Sequence, residues 1–286
     1  MGITVAIVAQ GTMGSGVGKR LHENGAEVRT LLGGRSAGST ERARAAGMKP
    51  AADEKALLEG ADFFLAILPP SEVENLAHRL APSLSASAKK PIYVDCNAIS
   101  PQTAERVAAI IEPTGARFVD GGIIGGPPRP CYSPAIYASG AAAGETAVLR
   151  DWGIDWRVID GPIGAASGLK MSYAGITKGT TAIAAAMLLG AARFGCGEAL
   201  IAELSKSQPE MLKRMRGGIP GMYDKAYRWV GEMEEISDFL GANPPSRDMY
   251  AAIARLYEFL AAADAEGTPG PDNAIKALDQ VLGRNT

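Results

Sequence analysis

The sequence predicts an α/β chain: a doubly wound parallel sheet followed by an all-helical C-terminal domain, the two joined by one long helix. Three observations carry that prediction. Short apolar, β-branched runs alternate with helix-patterned segments through the first half. The first run leads through a glycine-rich turn into a helix pattern. From Ile163 onward, only helix patterns remain, beginning with an apolar, proline-free stretch to about Leu204. The expected domains are 1–162 and 163–286.

Residues 3–9 form the first strand, and Gln10-Gly11-Thr12-Met13-Gly14-Ser15-Gly16 opens the helix after it. Strand, glycine turn and helix in that order are the setting of a dinucleotide fingerprint, in which glycine backbone and helix N–H groups approach a pyrophosphate. Ala9 stands where the first glycine of G-x-G-x-x-G would be. The second strand, 26–32, ends in Gly33-Gly34-Arg35-Ser36, without the acid that holds ribose hydroxyls in NAD-selective sites. Arg35 and Ser36 offer a cation and a hydroxyl that suit the 2′-phosphate of NADP, with NAD as the alternative.

Helices at 38–46 and 53–59 continue the alternation, with a short segment at Met48 between them. A strand at 63–68 turns at Leu68-Pro69-Pro70-Ser71 into a helix over 72–80. The strand Ile92-Tyr93-Val94-Asp95 leads through Cys96-Asn97 to a helix capped by Ser100 and opened by Pro101. Further strands are expected at 117–120 and 134–138. These features describe a Rossmann domain with its ligands outside the C-terminal strand ends, where Leu68, Pro69 and Asn97 lie.

The long helix, drawn from Leu169 to Leu204, would extend roughly 50 Å, too far for the interior of one small domain. Its apolar middle predicts burial between helices or between subunits. A membrane span is excluded because the uncharged run from Lys178 to Arg193 is shorter than the ~20 residues a bilayer requires. Lys170 stands out as a proton donor or acceptor. It is placed in the first turn after Gly164 and Gly168, where the electropositive helix end would lower its pKa.

Composition is that of a globular protein: 286 residues, 47% hydrophobic and 21% charged. A net charge of -2 and a pI near 5.8, with no basic cluster, exclude a nucleic-acid or membrane-surface footprint. Cys96, Cys131 and Cys196 are scattered, without ligand spacing, which predicts a reduced, cytoplasmic protein with no structural metal. The N-terminus reads as a strand and not a signal peptide. His22 and His78 fall on surface helices.

Taken together, Gln10-Gly11-Thr12-Met13-Gly14, Arg35-Ser36, Leu68-Pro69, Asn97-Ala98-Ile99-Ser100-Pro101, Asp120 through Gly125-Gly126, and Lys170-Met171 resemble the 6-phosphogluconate dehydrogenase and β-hydroxyacid dehydrogenase superfamily. The resemblance covers most of the chain, and Gly175-Ile176 and Gly179 extend it along the helix. It implies that Lys170 transfers the proton at the reacting oxygen, and that Ile123, Ile124, Gly125 and Gly126 line the substrate.

The departures are specific. Ala174 replaces the asparagine four residues after the lysine, leaving Tyr173 as the nearby hydroxyl. Ile124 replaces the serine that binds a substrate carboxylate, and Thr177 replaces the glutamate of the decarboxylating enzymes. 6-Phosphogluconate decarboxylation is thereby disfavoured.

The C-terminal half has breaks at 217–221, 241–245 and 267–271. Its stretch Tyr227-Arg228-Trp229-Val230-Gly231-Glu232-Met233-Glu234-Glu235-Ile236 resembles a less characterised branch of the superfamily with its own C-terminal domain. Trp229, Met233 and Ile236 are expected in the core, Tyr223 and Tyr227 within reach of a pocket, and the last residues in a frayed tail.

The expected function is NADP-dependent hydride transfer between nicotinamide and a carbonyl or alcohol carbon of a small substrate, in a homodimer built on the long helix and C-terminal domain. The alternatives are an imine reductase, which commonly carries an acid or tyrosine at the lysine position, and a non-catalytic NADP-binding sensor.

Overall fold

A computed structural model describes residues 2–266 and 273–284. The expected break at 267–271 and the last two residues of the tail lie outside the described residues. The chain divides into two compact units, Met1–Met171 and Ser172–Thr286.

The first unit is built on one eight-stranded sheet. Its strands are β1 (Thr4–Val8), β2 (Glu27–Leu31), β3 (Lys49–Ala51), β4 (Phe63–Ala66), β5 (Ile92–Asp95), β6 (Phe118–Ile124), β7 (Ala135–Ser139) and β8 (Asp155–Val158). They lie in the order β3-β2-β1-β4-β5-β6-β7-β8, so strand order reverses between β1 and β4, where ligands bind in doubly wound sheets. The interleaved helices are α1 (Thr12–Glu23), α2 (Ala37–Ala45), α3 (Glu54–Leu58), α4 (Val73–Ala86) and α5 (Pro101–Ile111).

Alternate residues of each strand serve opposite faces, as the two-residue period of a strand requires. Val5, Ile7, Val28, Phe63, Leu65 and Val94 pack with Val17 and Leu21 of α1 and Ala43 of α2. Ala6, Val8, Phe64, Ala66 and Tyr93 pack with helices α3 to α5 on the other face. Because both faces are covered, the inner strands are almost continuously apolar, and this made them readable.

The sheet departs from the prediction at its far end. β6 and β7 are antiparallel, in register from Asp120 opposite Ser139 to Ile124 opposite Ala135. The connection between them contains Pro127, Pro128, Pro130 and Pro134, and cannot form the crossover helix that a parallel pair requires. β8, which the sequence reading omitted, pairs parallel with β7. The helix expected over 72–80 is also longer: a 3-10 turn at Pro70–Glu72 precedes α4, which continues past Pro82 on its exposed side.

α6 spans Ala165–Arg193 and stops short of the expected Leu204. Gly195 adopts φ 67, the Gly195 amide donates to Ala192 O at 3.1 Å, and the Cys196 amide donates to Ala191 O at 3.0 Å. This paired closure around a left-handed glycine ends the helix, and α7 (Gly197–Ser207) starts afresh.

The second unit is helical, with α8 (Pro209–Gly218), α9 (Ala226–Phe239), α10 (Pro244–Glu266) and α11 (Ala274–Val281) after α7. Met233, Ile236, Tyr257 and Leu260 form its core, where α9 and α10 pack together. Trp229 is half-buried and meets Tyr257 edge to face at 5.2 Å. Lys178 of α6 lies 5.0 Å from the Trp229 ring centroid, pairs with Glu232, and its carbonyl accepts from Tyr257 Oη at 2.6 Å. Burial holds the Lys178 amine below its usual range, while Glu232 opposes that shift. The aromatic and acidic residues of the α9 stretch thus hold the middle of α6. Tyr223 donates to Asp279 Oδ1 at 3.1 Å, whereas Tyr227 is exposed.

Candidate active site

Most of the predicted site residues gather at the C-terminal ends of β1, β4, β5 and β6. Gly11 is the N-cap of α1, in extended backbone and without a side-chain cap bond. Ser36, Asp53 and Ser100, by contrast, each cap their helix with a side-chain oxygen. Gly11 thus offers the first-turn amides of α1 no side-chain acceptor, a helix start that suits a phosphate.

Gln10 is buried behind this turn. Its Nε2 donates to Thr30 Oγ1 and to Leu31 O at 2.9 Å, and Thr30 in turn donates to Ile7 O at 2.7 Å. Among the described residues, Gln10 Oε1 has no hydrogen-bond partner. The side chain fastens the ends of β1 and β2 together, while its backbone carbonyl belongs to the turn. The uncapped helix start and the buried amide fit a dinucleotide.

Beyond β2, Arg35 and Ser36 are exposed, and Ser36 Oγ accepts from the Ser39 amide at 3.3 Å. A residue that the sequence reading missed completes this corner. Arg42, on α2, donates Nε to Gln10 O at 3.0 Å and Nη2 to Ser39 Oγ at 2.9 Å. It joins the β2–α2 loop to the glycine turn and sets a second guanidinium there. Its place on the helix that directly follows Arg35-Ser36 was the one available signal, and a weak one.

Asn97 is buried at the end of β5. Its Oδ1 accepts from the Leu68 amide at 2.6 Å, and its Nδ2 donates to Asp95 Oδ1 at 2.8 Å. Asn97 therefore holds the Leu68-Pro69 turn against β5, with Leu68 half-buried and Pro69 exposed. Burial, followed by the charges of Asp95 and Asp120, raises the Cys96 thiol well above its usual range and keeps it unreactive.

Lys170 is set by β6. Asp120, Gly122 and Ile124 share one face of that strand. Asp120 is buried; its Oδ2 accepts from the amides of Gly164 (3.0 Å) and Ser167 (2.9 Å) and from Ser139 Oγ (3.1 Å). Asp120 Oδ1 accepts from Ser167 Oγ at 2.5 Å, and Ser139 Oγ accepts from the Ala166 amide at 2.9 Å.

Gly122 lies beneath the next turn of the helix. A Cβ there would come within 2.9 Å of Ala166 O and 3.1 Å of Lys170 Cβ, so only glycine permits this approach. The first-turn position expected for Lys170 is corrected: α6 starts at Ala165, which puts Lys170, half-buried, in the second turn. The electropositive helix end invoked for it is met by the Asp120 carboxylate.

Ile123 points the other way, into the core, while Ile124 is half-buried on the Gly122 side. Gly125 and Gly126 follow in a loop whose Pro128 lies over α1, 2.9 Å from where a Cβ of Gly16 would be. Arg20 of α1 holds the same loop through the carbonyls of Arg129 (2.9 Å) and Tyr132 (3.2 Å). Tyr173 belongs to the second unit and is 50% exposed, one turn beyond Lys170. Thr177 turns its hydroxyl back to Tyr173 O at 2.9 Å. His22 and His78 are exposed.

Residues 4–149 match the family described as the NAD binding domain of 6-phosphogluconate dehydrogenase, and residues 191–260 match a domain of unknown function, DUF1932. An uncharacterized 28.5 kDa protein of Methanothermus fervidus is 27% identical over 215 residues, which is 75% of this chain and 82% of that protein. A conserved protein whose structure is described as similar to 3-hydroxyacid dehydrogenases is 28% identical, with a TM-score of 0.71, over 93% of this chain and all of its own. The fold is shared with Mycobacterium tuberculosis 3-hydroxyisobutyrate dehydrogenase at 18% identity and a TM-score of 0.69, over 98% of this chain and 99% of that one.

Proposed function

Because the chain belongs to the family of the NAD binding domain of 6-phosphogluconate dehydrogenase, we propose that it is an NADP-dependent oxidoreductase acting between a carbonyl and an alcohol carbon of a small substrate. The observation that carries this reading is the seat of Lys170 beside Gly122, at the ligand-binding end of the sheet. In the reduction direction, the Lys170 ammonium donates a proton to the oxygen that becomes the alcohol; in oxidation, the amine removes it.

The dinucleotide would be held by the α1 amides, with Arg35, Ser36 and Arg42 at its 2′-phosphate. When bound, the nicotinamide supplies or accepts the hydride. Asn97 and Arg20 keep the Leu68-Pro69 turn and the Gly125-Gly126 loop in place around it. Ile124 offers no hydrogen bond to a carboxylate, which favours a substrate with an apolar group beside the reacting carbon. Tyr173, three residues after Lys170 in the sequence, is the next proton donor to test.

The working form in this reading is a homodimer, with the exposed face of α6 against a second copy. A reducing, cytoplasmic setting fits the free thiols of Cys131 and Cys196, both exposed.

The test is NADPH oxidation against aldehydes, keto acids and cyclic imines, followed by single-turnover hydride transfer on the substrate it selects. Lys170→Met should leave NADPH affinity near wild type and slow hydride transfer by roughly 10² to 10⁴. Transfer at the wild-type rate would remove Lys170 from the chemistry and leave Tyr173→Phe as the variant to examine. Preference for the cyclic imine over every carbonyl compound would replace the carbonyl assignment with C=N reduction.

A further inference from the structure

The clamp that starts α6 suggests a role beyond stability. The first four amides of a helix have no acceptor within it, and the usual N-cap side chain, supplied by the residue just before the helix, takes one of them. Here the cap comes from the sheet. Asp120 of β6 takes the amides of Gly164 and Ser167, and Ser139 of β7 takes that of Ala166. Ser139 and Asp120 face each other across the β6–β7 register and are bonded to each other. The two adjacent strands therefore fix the height and the rotation of the first turn of α6.

Two residues further along the same face of β6, Gly122 lets the helix backbone come down beside Lys170 Cβ. Ser167, whose amide and hydroxyl both bond to Asp120, is three residues before Lys170 and so on the same side of the helix. Any rotation of the helix start would carry Lys170 away from Gly122.

We propose that Asp120, acting with Ser139, is a positioning residue for Lys170: it aims the lysine over Gly122 by fixing the first turn of α6 to β6 and β7. This rests on the reading of Lys170 as the proton-transfer group, and it assigns Asp120 no contact with substrate. Asparagine at this position would place an NH2 group against donors, because the four groups bonded to Asp120 here, from Ser139, Gly164 and Ser167, are N–H or O–H groups.

The experiment uses the full-length protein with lysine enriched in 13C at Cε, the Lys170 resonance being the one lost in Lys170→Met. In Asp120→Asn, that resonance should move while the other lysine signals stay. Acetylation of Lys170 by acetic anhydride, read by peptide mass spectrometry against exposed Lys206, should rise by at least about fivefold as the first turn loosens. Ser139→Ala should give a smaller change in the same direction, and Ser139→Thr, which keeps the hydroxyl, should restore wild-type behaviour. The Ser139 pair decides the matter if Asp120→Asn does not fold.

An unchanged Lys170 resonance and labelling rate, with only a fall in melting temperature, would reduce the clamp to a stabilising cap and overturn the proposal. The two readings fail separately. If Lys170→Met transfers hydride normally while Asp120→Asn still displaces Lys170, the positioning role stands and the catalytic assignment of the lysine falls.

Discussion

At the scale of single residues, the proposed preference for NADP rests on two guanidinium groups that the sequence exposes unequally. Arg35 could be read because it follows a strand end from which the ribose-binding acid is missing. Arg42 was hidden, since a basic residue on a polar helix has the pattern of a solvated face, and its bond to Gln10 O exists only after folding. Both should act on the 2′-phosphate through charge-assisted bonds. Arg35→Ala and Arg42→Ala are each expected to cost about 1.5–3 kcal/mol of NADP(H) binding, a tenfold to hundredfold loss. Only Arg42→Ala should also weaken NAD(H), because it releases the glycine turn shared by both cofactors. Titration of each variant with NADPH and NADH by nicotinamide fluorescence checks this. Equal affinity of the wild-type protein for the two would exclude the 2′-phosphate assignment.

At the scale of elements, the inner strands and the Ser100-Pro101 helix start were legible because each has a local cause in apolar runs or capping chemistry. What escaped reading depends on distant partners or on one backbone angle. The antiparallel turn of β7 follows from pairing across a proline-rich connection, and β8 has no strong apolar run to announce it. Asp120 was seen only as part of a motif, since the Gly164, Ser167 and Ser139 groups that define its role are brought to it by the fold. The end of α6 was misplaced because alanine and leucine resume after Gly195-Cys196-Gly197, so helix propensity gives no stop there beyond these two glycines. Gly195 carries φ 67, where an L side chain costs about 1–2 kcal/mol. Gly195→Ala should therefore destabilise the second unit by about that amount, measured as a lower urea midpoint with unchanged slope. An unchanged midpoint would mean that the left-handed turn does not end α6 in solution.

At the scale of the whole molecule, α6 presents a problem that one copy of the chain leaves unsolved. Its full length and mean hydropathy reach those of a membrane span although its uncharged run is too short for one, and 44% of its most apolar window is buried within the protein, with Lys178 in its middle paired with Glu232. Its other face is exposed along a regular line: Leu169, Tyr173, Ile176, Thr180, Ile183, Met187, Gly190 and Phe194 alternate steps of four and three residues. Ile176 is 69% exposed, Met187 63% and Phe194 82%. A 3.5-residue period is that of a seam between two helices, and the small residues Thr180 and Gly190 leave room for side chains from a partner. No charged residue occupies the line, so a second copy of the same face meets it without repulsion. The expected assembly is a homodimer joined along this seam, since soluble monomers rarely leave so continuous an apolar surface in water. Sedimentation equilibrium at micromolar concentration should give the dimer mass. Ile183→Asp, which puts a carboxylate from each copy near the middle of the seam, should raise the dissociation constant at least ~10²-fold, about 2.7 kcal/mol. A wild-type monomer at these concentrations, or a dimer that Ile183→Asp leaves intact, would place the subunit contact elsewhere and leave the seam for a different partner.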